Sequence, residues 1–322
     1  MDLPCFHPLL AVSTGVTAAG KKDIKFCSGL SEWESYSPMH RLKLPCGRCV
    51  GCRLERSRQW ANRCMLELQY HDSAYFVTLT YDDEHVPISH YVTDDGELMD
   101  SLTLRARDLQ LFLKRLRKEH SGERLRFFAC GEYGSTTYRP HYHAIIFGLT
   151  LNDLRFYKRS AQNYDYFISD SLAKCWGLGF VVVGAVTWDT CAYTARYIMK
   201  KALGAAVSVY DTFSLEPEFV RMSRKPGIAY QYYKDHPDLY DYEYINLSTD
   251  KGQLKFRPPR YYDKLFDIDA PDQMAKIKAK RQHAALVDAF NKSKQTNLID
   301  VDRLAVEESA LTARIKSLER KL

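Results

Sequence analysis

Two runs decide the fold: Leu125-Arg-Phe-Phe-Ala-Cys-Gly-Glu132 and, after a Gly, Ser, Thr and Pro loop, His141-Tyr-His-Ala-Ile-Ile-Phe-Gly148. Both are strand-like, and so short a connection between them predicts an antiparallel hairpin. Alternate residues of a strand face the same way, so His141 and His143 point to one side and a single cation can bind both. The hairpin brings Glu132 alongside as a third ligand. Two imidazoles and one carboxylate leave positions open for water and a substrate oxygen, as an octahedral Mg²⁺ or Mn²⁺ site requires. The plainer alternative is a structural pair of hydrogen-bonded histidines.

Working outward, Tyr75 to Tyr81 alternates β-branched and aromatic residues and reads as a strand with Phe76, Thr78 and Thr80 on one face, ended by Asp82-Asp83-Glu84. From Thr103 to Glu119, Leu109, Phe112, Leu113 and Leu116 recur at helical spacing while Lys114, Arg115, Arg117 and Lys118 take the remaining surface, which predicts an amphipathic covering helix. The longest apolar run, Cys175 to Trp188, is interrupted by Gly and falls short of the ~20 residues of a membrane span. It reads as a buried strand, with Gly179 to Thr187 as its core. Asp189 or Thr190 can then cap a helix to Lys201, with Gly204 as its stop. On that helix Tyr193, Tyr197 and Lys200 share one face and Ala195, Met199 and Ala202 another. Because the chain holds 22 tyrosines, the pair alone reads equally well as core.

The chain of 322 residues carries 45% hydrophobic and 27% charged residues, an ordinary globular balance, with a net charge of +6 that suits a polyanion partner. Local clustering is more telling. Between Arg41 and Arg63 stand seven basic residues and one acid, Glu55, and Cys52 to Tyr70 reads as an arginine-rich helix. This bias favours phosphate contact by Arg53, Arg56 and Arg58 over a merely solvated face. Nine cysteines, four of them between Cys46 and Cys64, fit reduced thiols or metal ligands in a cytoplasmic protein better than disulfides. Cys46, Cys49 and Cys52 with Cys27, His40 or Cys64 can make a four-ligand zinc site; small thiols packed together are the competing reading. Leu9 to Gly20 lacks the basic leader and sustained apolar core of a signal peptide.

Composition divides the chain into residues 1–70, rich in Cys and Arg; 71–204, which hold the chemistry; 205–265, rich in Tyr and Pro and read as long loops; and 266–322, charged and helical. In the last stretch Val301, Leu304, Leu311, Ile315, Leu318 and Leu322 form a heptad seam broken by Glu308. A short coiled coil pairing two copies and a solvated single helix both fit it.

Taken in order, Phe76-Val-Thr-Leu-Thr-Tyr81, Arg139-Pro-His-Tyr-His143 and Tyr193-Thr-Ala-Arg-Tyr197-Ile-Met-Lys-Lys201 resemble the three motifs of the HUH endonucleases of rolling-circle replication. The two tyrosines, together with Cys46-Gly-Arg-Cys49-Val-Gly-Cys52-Arg53, Met222-Ser-Arg-Lys-Pro-Gly227 and Pro259-Arg-Tyr-Tyr262, look like the replication initiators of microviruses, nearest the gokushovirus branch. The resemblance implies an α+β fold with a central antiparallel sheet flanked by helices, related to ferredoxin-like and RNA-recognition folds. It implies site-specific, metal-dependent nicking of origin DNA by Tyr193 or Tyr197, a 5′-phosphotyrosine link, a free 3′-hydroxyl primer and later rejoining. Lys200 and Lys201 would assist, and Thr78, Thr80, Tyr81, Arg139, Arg196 and Lys114 would join Arg53, Arg56 and Arg58 in holding single-stranded DNA. The implied setting is the host bacterial cytoplasm. With no Walker-type phosphate loop in the chain, unwinding falls to a host helicase and extension to a host polymerase. Within the superfamily a plasmid initiator, relaxase or transposase shares these parts. Outside it, a non-haem iron oxygenase or a non-catalytic zinc-containing DNA-binding protein would use only some of them.

Overall fold

The structure is a computed structural model that describes residues 5–17, 22–134, 136–160, 163–196, 208–249 and 252–319. The chain begins with β1 (Leu9–Val16), β2 (Lys22–Phe26), α1 (Leu30–Ser35), β3 (Arg41–Leu44) and α2 (Val50–Leu68). Next come β4 (Ala74–Thr80), the hairpin β5 (Ile88–Val92) and β6 (Leu98–Leu102), α3 (Ala106–Glu119), and the hairpin β7 (Arg126–Tyr133) and β8 (Pro140–Phe147). They are followed by β9 (Arg155–Arg159), β10 (Asp165–Ile168), α4 (Asp170–Trp176), β11 (Val181–Ala185) and α5 (Trp188–Arg196). The rest is α6 (Ser208–Thr212), β12 (Phe219–Met222), α7 (Tyr230–Asp235), the hairpin β13 (Ile245–Thr249) and β14 (Gly252–Phe256), α8 (Arg260–Asp269), α9 (Pro271–Ser293) and α10 (Asp300–Glu319).

Two compact units emerge, one of residues 1–55 with 277–322 and one of residues 56–276, so the compact units cut across the four compositional stretches. In the first, β1 lies between β2 and β3 in an antiparallel sheet. Contacts from His7 to Glu308 at 2.6 Å and from Lys43 to Asp300 at 2.7 Å bind α10 to this N-terminal part. Among the described residues, no helix is long and apolar enough to cross a membrane.

The larger unit is built on an antiparallel seven-stranded sheet in the order β12-β7-β8-β4-β11-β10-β9, the α+β architecture expected from the sequence. Strand alternation gives the sheet two chemically different faces. Val77, Leu79, Ala129, Ala144 and Ile146 pack under Leu109, Phe112, Leu113 and Leu116 of α3 and under Leu172 and Trp176 of α4. On the other face Phe76, Phe128 and Ile145 meet Ala61, Cys64 and Met65 of α2 and Cys191, Ala192 and Ala195 of α5. Buried hydroxyls fix the start of α3: Tyr81 donates to Asp108 at 2.7 Å and Tyr142 to the Arg105 carbonyl at 2.9 Å, while the two phenols meet at 2.7 Å. Burial pushes both phenols well above their ordinary range.

Cys175 and Trp176 do not begin a strand as the apolar run implied; they end the two-turn helix α4. Ser169 caps that helix by accepting from the Leu172 N–H at 3.2 Å, and Gly177 closes it at φ 66°. Trp176 is fully buried and donates from its indole N–H to the Thr80 carbonyl at 2.9 Å. The strand therefore starts only at Val181, after Gly179, whose φ of 143° and position against the Thr80 and Asp82 backbone leave no room for a Cβ.

Residues 205–265 are likewise more than long loops. β12 joins the sheet edge beside β7, and the segment after it is clamped by charge. Glu67 accepts from the Ala229 N–H at 2.6 Å, from His71 at 3.1 Å and from Arg126, which also donates to the Pro226 carbonyl at 3.0 Å. Arg63 donates to the Ile228 carbonyl at 2.8 Å and stacks between the Trp60 and Tyr261 rings. Burial alone would raise the Glu67 carboxyl, but these hydrogen bonds and the Arg126 charge hold it below its ordinary 4.5. Its contribution to stability is therefore complete above that pH and lost as pH falls through the depressed folded value. Glu67→Gln is expected to cost about 3 kcal/mol at pH 7, by loss of one member of a buried ion pair. In urea titrations the gap between this variant and the native chain should shrink on acidification; a gap that stays constant would contradict the role given to Glu67.

Candidate metal centre and active site

Ladder register places the three ligands. Glu132 on β7 stands opposite His141 on β8, and Cys130 opposite His143. On the other side of β8, Thr80 faces His141 and Thr78 faces His143. The Glu132 carboxylate oxygen Oε1 lies 2.6 Å from His141 Nε2 and 3.1 Å from His143 Nε2, and the three ligand atoms lie within 4.8 Å of one another. Glu132 is 1% exposed and His143 5%, so water barely screens the group. Burial on its own would raise the Glu132 carboxyl; the hydrogen bonds and charge of the two imidazoles outweigh it and hold it at about 2.

The donor set fits a hard divalent cation. Both ring nitrogens of His141 face oxygen acceptors, Nδ1 the Arg139 carbonyl at 3.1 Å and Nε2 the Glu132 carboxylate. A neutral imidazole can donate to only one of them, so the second contact calls for another proton or for a cation. The Arg139 carbonyl thus selects the tautomer that turns the Nε2 lone pair inward, and Thr78 Oγ1 at 3.0 Å from Nδ1 orients His143 the same way.

Tyr193 comes from α5. Thr187 starts that helix, not Asp189 or Thr190: the Thr190 N–H donates to Thr187 Oγ1 at 3.2 Å and the Thr187 N–H to Thr190 Oγ1 at 2.8 Å. Ser57 on α2 donates to the Ala192 carbonyl at 3.0 Å, and Trp188 donates to Asn62 at 3.0 Å, which pins α5 to α2. Ala195 is buried, as the apolar face requires, and the ring of Tyr193 lies 5.2 Å from the ring of His143. His143 stacks on Phe76 at 5.4 Å on its other side. Tyr193 is still 38% exposed, so its side chain is reachable from solvent.

The remaining candidates divide. Tyr197, Lys200 and Lys201 lie outside the described residues, as does the side chain of Arg196. Arg139 lies at the hairpin, donating to the Tyr81 carbonyl at 3.0 Å and pairing with Asp83 at 2.8 Å. Arg56 is exposed and Arg58 half-buried on α2, whereas Arg53 belongs to the smaller unit. Two residues are not brought to the triad face. Tyr81 is buried beneath α3, because its side chain alternates away from Thr78 and Thr80; Lys114 rides on α3, which covers the opposite face. Of the cysteines, Cys46, Cys49 and Cys52 converge with Cys5, a residue that sequence reasoning missed. Cys27 and His40 are not in that cluster, and Cys64 packs in the core of the larger unit.

Fold and site together define an α+β protein with a two-histidine, one-carboxylate candidate metal centre on one face of an antiparallel sheet. The family model of the replication-associated protein ORF2 matches residues 74–202, from the first residue of β4 to beyond α5. Replication-associated protein ORF2 of Spiroplasma virus 4 is 33% identical over 283 residues, covering 87% of this chain and 85% of the relative. Replication-associated protein VP4 of Bdellovibrio phage phiMH2K is 27% identical over 98% of this chain and 99% of its own length. ORF4 of Chlamydia phage 1, also a replication-associated protein, is 32% identical over 49% of this chain and 38% of its own length. The chain belongs to this family of replication-associated proteins of small single-stranded-DNA phages. No solved structure matches it significantly.

Proposed function

We propose that this chain starts rolling-circle replication by nicking single-stranded origin DNA with a tyrosine. The observation that carries the reading is the partly exposed Tyr193 ring 5.2 Å from His143, on the sheet face that holds Glu132 and His141. Family membership supports the replication role. In this reading the Tyr193 Oη–P bond forms as the P–O3′ bond breaks, the phenol proton passes to solvent, and the departing 3′ oxygen takes up a proton. The products are a 5′-phosphotyrosine and a free 3′-hydroxyl. Held by Glu132, His141 and His143, Mg²⁺ or Mn²⁺ supplies polarisation of a non-bridging phosphate oxygen. Thr78 and the Arg139 carbonyl keep the imidazoles oriented, and Phe76 and Tyr193 wall His143 from water. Tyr197 serves as the second nucleophile, with Lys200 and Lys201 neutralising charge as it builds. The 3′-hydroxyl primes a host polymerase in the bacterial cytoplasm, a host helicase opens the duplex, and reversal of the same attack rejoins the circle.

Labelled single-stranded origin DNA incubated with the chain and Mn²⁺ should yield an adduct that survives denaturation and is abolished by chelator. DNA that is bound but never covalently linked, across Mg²⁺ and Mn²⁺, would instead favour a non-catalytic binding protein.

A further inference from the structure

Four cysteines of the smaller unit converge although one of them is 41 residues from the next. Cys5 precedes β1, while Cys46, Cys49 and Cys52 surround the start of α2, and their four Sγ atoms lie within 4.8 Å of one another. Cys5 and Cys49 are 3.9 Å apart at sulfur. A tetrahedral ion with Zn–S bonds of about 2.3 Å needs sulfur–sulfur edges of about 3.8 Å.

Backbone N–H groups are aimed at these sulfurs as they would be at anions. Cys46 N–H points to Cys5 Sγ at 3.2 Å, Arg48 and Cys49 N–H to Cys46 Sγ at 3.4 and 3.3 Å, and Phe6 and Cys52 N–H to Cys49 Sγ at 3.4 and 3.5 Å. Cysteines that serve only as compact apolar side chains look different here: Cys64, Cys130, Cys175 and Cys191 are buried, whereas Cys5, Cys46 and Cys52 are only partly so.

The second observation is independent of the sulfurs. Among the described residues of 1–55 and 277–319, the buried apolar side chains are Phe6, Ala11, Val12 and Cys49 alone, and two of these four adjoin the cluster. A unit with so little apolar interior needs another source of stability, commonly a structural metal.

We infer that Cys5, Cys46, Cys49 and Cys52 bind one zinc ion as a tetrathiolate, and that this ion stands in for a hydrophobic core in the N-terminal unit. Binding releases the thiol protons and leaves a net charge of −2 on the site, with Arg48 and Arg53 close by in sequence. An iron–sulfur cluster uses the same residue type, but there each thiolate ligates its own iron, which spreads the sulfurs wider than the edges of a single-ion tetrahedron.

Elemental analysis of the purified full chain should find one zinc per chain. The same stoichiometry is expected in Cys27→Ser and in His141→Ala, which removes a ligand of the other centre, so the outcome is separate from that of the nicking reading. In Cys5→Ser the zinc should be lost. If that variant fails to fold, cobalt(II) exchanged into the native chain should show the sulfur-to-metal charge-transfer absorption of a tetrathiolate. Absence of zinc, iron in its place, retention of zinc by folded Cys5→Ser, or a cobalt spectrum without thiolate ligation would overturn the inference.

Discussion

Glu132→Ala is expected to abolish cation-dependent nicking while leaving the sheet folded and most DNA affinity intact. Its carboxylate is the anion around which both imidazoles are arranged, at 2.6 and 3.1 Å, and it contributes the hard oxygen of the set. A metal that polarises a phosphoryl oxygen is worth several kcal/mol at the transition state. At 1.36 kcal/mol per factor of ten, its loss should slow cleavage by roughly 10²- to 10⁴-fold. The variant would be compared with the native chain in single-turnover cleavage at saturating Mn²⁺, with thermal unfolding as the control for structure. Because its neighbours hold Glu132 at about 2, this carboxylate stays ionised from pH 8 down to pH 4, and no loss of activity in that range arises from its protonation. Cleavage within tenfold of native by a folded Glu132→Ala chain would return the histidines to a structural role.

The second large effect is on the nucleophile. Tyr193→Phe keeps the ring against His143 and Phe76, so binding and folding should persist, while the phenolic oxygen that bonds to phosphorus is gone. Each of Tyr193→Phe and Tyr197→Phe is expected to impair cleavage, and the double change to remove the covalent adduct altogether. Full adduct yield from the double variant would show that another group attacks. His141→Ala separates chemistry from binding in the same assays: cleavage should fall while affinity for the single strand changes little, since the basic residues are untouched.

How much of this was legible depends on the period of the pattern. β4, β7 and β8 announce themselves through alternation, and α3 through a 3.6-residue repeat whose four apolar members are all buried. Hairpin geometry alone put Glu132 beside His141, because a short connection fixes antiparallel register. The same alternation that sends Thr78 and Thr80 toward the histidines sends Tyr81 beneath α3, so its place could have been read from Tyr75 to Tyr81 without coordinates. α4 was hidden because a two-turn helix is too short to show periodicity, and its signals are the Ser169 cap and Gly177. The edge strand β9, Arg-Phe-Tyr-Lys-Arg, is exposed throughout and carries no apolar alternation. Cys5 was missed for a different reason: nothing local marks a lone cysteine as the partner of a cluster 41 residues away. The pairing comes from β1 lying beside β3, a long-range fact.

The most direct test is to isolate the adduct formed with 5′-labelled product DNA, digest the protein and identify by mass spectrometry the residue that carries the 5′-phosphate. The account predicts a phosphotyrosine at Tyr193 or Tyr197, formed only with a divalent cation. A phosphate on any other residue, or an adduct formed equally well without metal, would contradict it.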